Sequence, residues 1–329
     1  MFSTRLNIAL ERGLVALPDD GTIAVIGARA SDVLSSLPIE RLEVVTRFFP
    51  DHAHWKKAGI KTSPDPVGPY SLAFVLLPRS RAEARHLLAL TMSACQGPVV
   101  VDGQKTDGID GILKELRGRT EVGDTLSKAH GKLAVVGHAD LSDWIADTPD
   151  LKDGRFETVP GVFAADGTAP GSALLAEALP ASLKGHVVDL GAGWGFLSHA
   201  VWAREGVTCV DLVEADHAAV AMARRNVSDP RARFHWADAL SFEPDEQVDH
   251  VVMNPPFHTS RKPDTALGQG FIRAAGRMLK PKGSLWLVAN RHLPYETVLS
   301  DTFSEVRLLD ETASYKLFHA RSPRRPRKG

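Results

Sequence analysis

Val187-Val188-Asp189-Leu190-Gly191-Ala192-Gly193-Trp194-Gly195-Phe196 is the stretch on which the fold turns. A β-branched run ends at an acid, passes through three glycines at alternate positions and opens into a helical pattern. Glycine accepts positive φ and lets a ligand come close to the backbone. Strand, glycine turn and helix in that order make the first unit of a doubly wound α/β sheet, whose ligands lie beyond the carboxyl ends of the strands. A dinucleotide site wants G-x-G-x-x-G, with a pyrophosphate on the helix N-terminus. Here the spacing is G-x-G-x-G, and Asp189 would oppose an anion. An acid at this turn suits a cationic ligand. S-adenosyl-L-methionine fits, since it has an ammonium, a sulfonium and no phosphate.

Around this loop, strand-length apolar runs alternate with helix-period segments, the pattern of a mostly parallel sheet. Strands are expected at 187–190, 208–213, 233–236, 250–253 and 284–288, and helices at 195–204, 217–226 and 265–279. Pro281-Lys282-Gly283 reads as a turn before Ser284. Glu214 ends the strand after the loop, 25 residues past Asp189, where a carboxylate can accept both ribose hydroxyls. Asp211 and Asp216 are its rivals for that role. Asp238, 24 residues on, can accept from an adenine amino group, with the Ala239 N–H on the ring. Trp194 either covers the ligand or packs in the core.

The second signal is Asn254-Pro255-Pro256-Phe257-His258, directly after the 250–253 strand. Two prolines fix φ and remove two N–H donors, leaving a stiff segment that presents carbonyls. A nucleobase amine is a poor nucleophile because its lone pair is delocalised into the ring. If the Asn254 side-chain oxygen and the Pro255 carbonyl accept both of its protons, the lone pair localises and aims at a sulfonium methyl. That is catalysis by positioning and preorganised acceptors, with neither metal nor strong base. Phe257 would stack on a flipped base. His258 either touches the substrate or is an ordinary loop histidine.

The first half repeats the plan more weakly. Strands are expected at 22–26, 41–47, 72–77, 98–101 and 132–136, with helices at 81–94 and 108–116. Its glycine turn is Gly27-Ala28-Arg29-Ala30, and Leu77-Pro78-Arg79-Ser80 stands where the tetrad would be. Neither can grip a cofactor or an amine as described. Arg79, Arg81 and Arg85 form either a phosphate-contacting patch or a solvated helix face. The chain has 329 residues, which suggests two domains, and the polar stretch 147–155 marks a boundary near residue 150. Lys and Arg number 39 against 40 Asp and Glu, so a globally basic nucleic-acid binder is excluded but a local patch is not. Two cysteines and no zinc-spaced Cys/His set point to a reducing compartment and no metal site. No run is apolar enough to span a bilayer, and Glu11 and Arg12 interrupt any signal-peptide core. Residues 321–329 hold five basic residues without apolar periodicity and read as a disordered arm for RNA phosphates or for solubility.

Asp189-x-Gly191-x-Gly193-x-Gly195 with the Asn254 tetrad resembles the class I methyltransferases that act on amino groups. Pro160-Gly161-Val162-Phe163, Asp166-Gly167 and Gly171-Ser172 lie upstream, and Ala289-Asn290-Arg291-His292-Leu293-Pro294-Tyr295 lies downstream. With these, residues 156–320 resemble the bacterial ribosomal RNA guanine-N2 methyltransferases, the small-subunit methyltransferase C type and its large-subunit relative. The resemblance implies an α/β protein of two tandem Rossmann-like class I methyltransferase domains. Residues 1–150 would be a degenerate copy for RNA binding or scaffolding, and 151–320 the catalytic copy. It implies that Phe163 and Asp166 line the cofactor and base pocket, and that Ser172 helps hold the methionine end of the cofactor. The resulting expectation is a cytoplasmic, monomeric enzyme that methylates a guanine of ribosomal RNA, most simply 16S. Other amino acceptors (adenine or a glutamine amide) and a catalytically silent RNA-binding assembly factor are the rivals. An oxidoreductase is disfavoured by the glycine spacing.

Overall fold

The computed structural model describes residues 2–145, 150–152, 155–256 and 265–324, and the chain divides into two compact units, Met1–Pro149 and Asp150–Gly329. The N-terminal unit contains α1 (Phe2–Glu11), β1 (Ile23–Ile26), β2 (Leu42–Val45), α2 (Phe49–Lys57), β3 (Lys61–Ser63), β4 (Leu72–Leu76), α3 (Arg81–Ala94), β5 (Val99–Gln104), α4 (Ile109–Arg117), β6 (Leu126–Lys128) and β7 (Gly131–Val136). They form a seven-stranded sheet of order β3-β2-β1-β4-β5-β7-β6, in which β7 runs antiparallel to β5. The central strands are buried on both faces and read as continuous apolar runs, as parallel strands covered by helices must. Ile109, Ile112, Leu113 and Leu116 put one apolar stripe of α4 into the core. The Ser80 hydroxyl caps α3 by accepting the Glu83 N–H.

The C-terminal unit contains β8 (Asp150–Lys152), β9 (Phe156–Thr158), α5 (Pro170–Ala178), β10 (Gly185–Leu190), α6 (Phe196–Trp202), β11 (Val207–Glu214), α7 (His217–Asn226), β12 (Ala232–Trp236), β13 (Val248–Met253), α8 (Thr265–Met278), β14 (Leu279–Asn290), α9 (Glu296–Thr302), β15 (Phe303–Glu311) and β16 (Tyr315–Pro323). Its seven-stranded sheet has the order β12-β11-β10-β13-β14-β16-β15, with β16 antiparallel to β14. Renumbered from its own first strand this is 3-2-1-4-5-7-6, the order of the N-terminal sheet. The two halves are therefore two copies of one plan. Strand order reverses at β10, between β11 and β13, which puts the ligand crevice at the carboxyl end of β10.

The structure changes three readings. Pro281–Gly283 is no break between elements. β14 runs through it, and Leu279 and Ser284 pair with Val248 and His250, so the turn residues bulge out of an otherwise continuous strand. The 321–329 arm begins in the sheet: Arg321–Pro323 close β16, and the Arg324 N–H donates to the Thr302 carbonyl, while 325–329 lie outside the described residues. Arg79, Arg81 and Arg85 are an exposed group paired with acids of its own surface. Arg79 faces Asp107, Arg81 and Arg85 share Glu115, and Arg85 also lies over Trp144. Among the described residues, no helix is long and apolar enough to cross a membrane.

Candidate active site

The glycine loop leaves β10 through three residues in the left-handed region, Gly191 at φ +82°, Gly193 at +55° and Gly195 at +93°. At Gly195 a Cβ would also come 2.9 Å from Val227, so no larger residue fits without distortion. At Gly193 nothing lies within 4 Å of that position, so this stretch of backbone faces open space. The open side is a shallow cleft. Of the residues singled out in the sequence, it brings together Phe163, Ser172, Gly191, Gly193, Trp194 and Asn254. Phe163 is 55% exposed, an aromatic face at the mouth with no core to pack into.

Asn254 follows β13 and is half-buried. Its Nδ2 donates to Ser172 Oγ at 2.9 Å, so the carboxamide nitrogen is engaged and its oxygen remains an acceptor. Ser172 is 7% exposed on α5, and this contact makes it a partner of Asn254 inside the cleft. Pro255 is buried and Pro256 exposed. Phe257 and His258 lie outside the described residues.

The acids are arranged differently from the simple reading. Asp189 is fully buried and does not line the cleft. Its Oδ2 accepts from Ser198 Oγ at 2.7 Å, and its Oδ1 has no hydrogen-bond partner among the described residues. Burial pushes its pKa up to about 7, against the smaller lowering from Ser198. Glu214, half-buried at the end of β11, accepts the Gly193 N–H at 2.8 Å, the Ala215 N–H at 2.7 Å and the Asp216 N–H at 2.9 Å. A carboxylate has about four acceptor positions, so one remains for a ligand hydroxyl rather than two. Burial raises its pKa as well. Of its rivals, Asp216 caps α7 by accepting the Ala218 N–H, and Asp211 is buried between two histidines. Asp238 turns back on the Leu240 N–H at 2.9 Å, and Ala239 is buried in the core beneath it. Asp166 is exposed and does not line the cleft. Trp194 is core: 3% exposed, it packs 4.9 Å from Phe156, although it also contributes to the cleft wall.

Two supports were not read from the sequence. Ser198 is the partner of Asp189 but lies nine residues away, one turn into α6. Asn226 accepts the Glu157 N–H and donates to the carbonyls of Glu157 and Trp194, tying β9 to the glycine loop. An Asn at a helix end usually signals only a cap. The donor set suits S-adenosyl-L-methionine. A buried carboxylate lies beneath the loop, open backbone fronts it, and a hydroxyl acceptor stands at the end of β11. By strand order and site, this is a class I methyltransferase.

Comparison with known proteins agrees and is narrower. Residues 153–319 match the family described as methyltransferase small domain. The ribosomal RNA small subunit methyltransferase C of Psychromonas ingrahamii is 30% identical over 261 residues, 75% of each chain. That of Alcanivorax borkumensis is 30% identical over 272 residues, 78% of this chain and 83% of the other. The solved T. thermophilus 16S rRNA N2 guanine methyltransferase, in complex with AdoMet and guanosine, superposes with a TM-score of 0.77 at 26% identity, over 93% of this chain and 90% of the other. The chain belongs to the ribosomal RNA small subunit methyltransferase C family.

Proposed function

We propose that this protein methylates the N2 amine of a guanine in 16S ribosomal RNA, using S-adenosyl-L-methionine, as a monomer in the bacterial cytoplasm. The observation that carries the reading is Asn254, held by Ser172 with no hydrogen bond to its oxygen among the described residues, in the same cleft as the glycine loop. Bound S-adenosyl-L-methionine supplies an electrophilic methyl on its sulfonium. The chain's own groups do the rest. The loop amides and Glu214 seat the nucleoside end. Asp189, beneath the loop, favours the cationic end, and Ala239 and Asp238 border the ring. Phe163 at the mouth and Phe257 after the prolines offer stacking faces to a flipped base. Asn254 Oδ1 and the Pro255 carbonyl accept the two amine protons and direct the lone pair in line with the methyl–sulfur bond. The nitrogen–carbon bond forms as the carbon–sulfur bond breaks, S-adenosylhomocysteine leaves, and the displaced proton passes to solvent. The N-terminal unit would serve RNA binding or scaffolding.

Mass spectrometry of 16S rRNA from a strain lacking the protein should show one missing N2-methylguanine. Purified protein should restore it on the isolated subunits with labelled cofactor. Label entering only DNA or protein would replace the acceptor. Absence of cofactor binding by calorimetry would favour the silent assembly factor.

A further inference from the structure

Asp211 stands mid-strand on β11 with its side chain 3% exposed. Its Oδ2 meets His186 Nε2, from β10, at 2.5 Å, and its Oδ1 meets His235 Nε2, from β12, at 2.6 Å. Cys209 lies two residues earlier on β11 and so on the same sheet face. Donor atoms of His186, Cys209 and Asp211 all fall within 4.8 Å of one another. His186 and Cys209 are register partners near the starts of β10 and β11, whereas the glycine loop and Glu214 stand at the ends of those strands. None of the four lines the cleft.

A buried carboxylate calls for a compensating cation. The N-terminal sheet buries a carboxylate at the same register: Glu43 lies across from Ala24 as Asp211 lies across from Val188. Glu43 has the Lys61 ammonium at 2.7 Å. Among the described residues, the salt-bridge partners of Asp211 are the two imidazoles, which carry no charge when neutral. A thiol contributes little to such a clasp, but as a thiolate it is a strong ligand. An imidazole, a carboxylate and a sulfur, with a fourth position left for water, form the borderline donor set that zinc and its divalent neighbours take. His186, Cys209 and His235 are each half-exposed, so an ion can enter from solvent.

We propose that His186, Cys209 and Asp211 bind one divalent transition-metal ion of the zinc type, with His235 holding the other Asp211 oxygen. The ion neutralises Asp211 and fastens β11 to β10, while Asp211 in turn holds His235 on the edge strand β12. Its role is structural, on the sheet and outside the cleft lining.

The test uses the full chain after chelation and dialysis. Titration with Zn²⁺ alone should show one saturable equivalent by calorimetry and raise the thermal midpoint. Titration with Co²⁺ alone should produce the intense visible bands of a four-coordinate ion and a sulfur-to-cobalt charge-transfer band in the near ultraviolet. Cys209→Ser should abolish the charge-transfer band and weaken binding by more than about tenfold, and His186→Gln should weaken it similarly. Cys95→Ser, in the other unit, should change neither. Asp211→Asn risks misfolding, so the assignment rests on the wild type and the two milder variants. The absence of saturable binding, or a charge-transfer band that survives Cys209→Ser, overturns the proposal. So does a chelated protein that takes up no metal and whose midpoint varies instead with imidazole protonation.

Discussion

The two sheets have the same strand order and differ at nearly every residue that could touch a cofactor. Their glycine turns align on one hydrogen bond: the Gly27 N–H donates to Val45 as the Gly191 N–H donates to Val213. In that register Val25 stands where Asp189 does, Arg29 replaces Gly193, Thr46 replaces Glu214 and Leu76 replaces Asn254. Strand pairing thus moves the counterpart of the tetrad one residue earlier than sequence reading places it, to Leu76-Leu77-Pro78-Arg79. The first turn is also closed by its own acids, Arg29 N–H on Asp32 and Ala30 N–H on Asp51, where the second leaves the Gly193 side open. The fold therefore needs the first glycine and the apolar strands, but not the polar groups. Those groups mark function because the sheet survives without them.

The largest expected difference is catalytic. Asn254→Ala should lower single-turnover methyl transfer to RNA by about 10²–10³-fold, the cost of losing one preorganised hydrogen-bonding group. S-adenosyl-L-methionine affinity should stay within a few-fold. Leu76→Ala, at the matching position, should leave turnover per folded molecule unchanged. An undiminished Asn254→Ala enzyme would remove the functional meaning of the contrast.

Next comes cofactor binding. Calorimetry should find one S-adenosyl-L-methionine per chain, and a second equivalent would break the comparison outright. Glu214→Gln exchanges charge-assisted for neutral hydrogen bonds, both to the loop amides and to the ligand. It should weaken binding by about 10–100-fold. Thr46→Val should have no effect on binding.

A smaller pair probes the turns themselves. Gly195→Ala meets both φ +93° and Val227, and Gly27→Ala meets φ +81° and the Leu76 carbonyl at 2.8 Å. Each should cost about 1–3 kcal/mol of stability in denaturant titration. Only Gly195→Ala should also weaken cofactor binding.

These contrasts show why some of the molecule is legible in its sequence and some is not. The glycine loop and Asn254-Pro255-Pro256 are contiguous and sit at strand ends, so composition and order reveal them directly. The central strands are legible because both their faces are apolar. β15 is not, because this edge strand carries Glu305, Arg307, Asp310 and Glu311 and resembles a loop. Its partner β16 is hidden in the same way by the basic run that follows it. α1 hides Arg5, which reads as a solvated cation yet is buried on Asp102 in a bidentate pair. The His186–Cys209–Asp211–His235 group is spread over three strands, with 23 and 24 residues separating its members from one strand to the next. No linear spacing rule could collect it; strand register does.

The last contrast sets Asp189 against Val25, two positions at 0% exposure in equivalent strands. Valine there costs the fold nothing, whereas a carboxylate does, and the cost depends on pH. The native Asp189 pKa is about 7 against an ordinary 3.8, so between those values the folded state holds a proton that the unfolded state has released. Stability from this group is therefore full below pH 4, falls as pH rises toward 7 and is level above it. Asp189→Asn keeps the shape and an acceptor for Ser198 but removes the titration. Its advantage over the wild-type chain, read from urea midpoints, should grow by about 1.4 kcal/mol per pH unit between pH 4 and 7, so that it is a few kcal/mol larger at pH 8 than at pH 5. The same variant should bind S-adenosyl-L-methionine more weakly at pH 8, because the carboxylate that burdens the fold is the charge that favours a cationic ligand. A variant that loses stability at pH 8 would show that Asp189 is held by compensation the Val25 comparison does not capture.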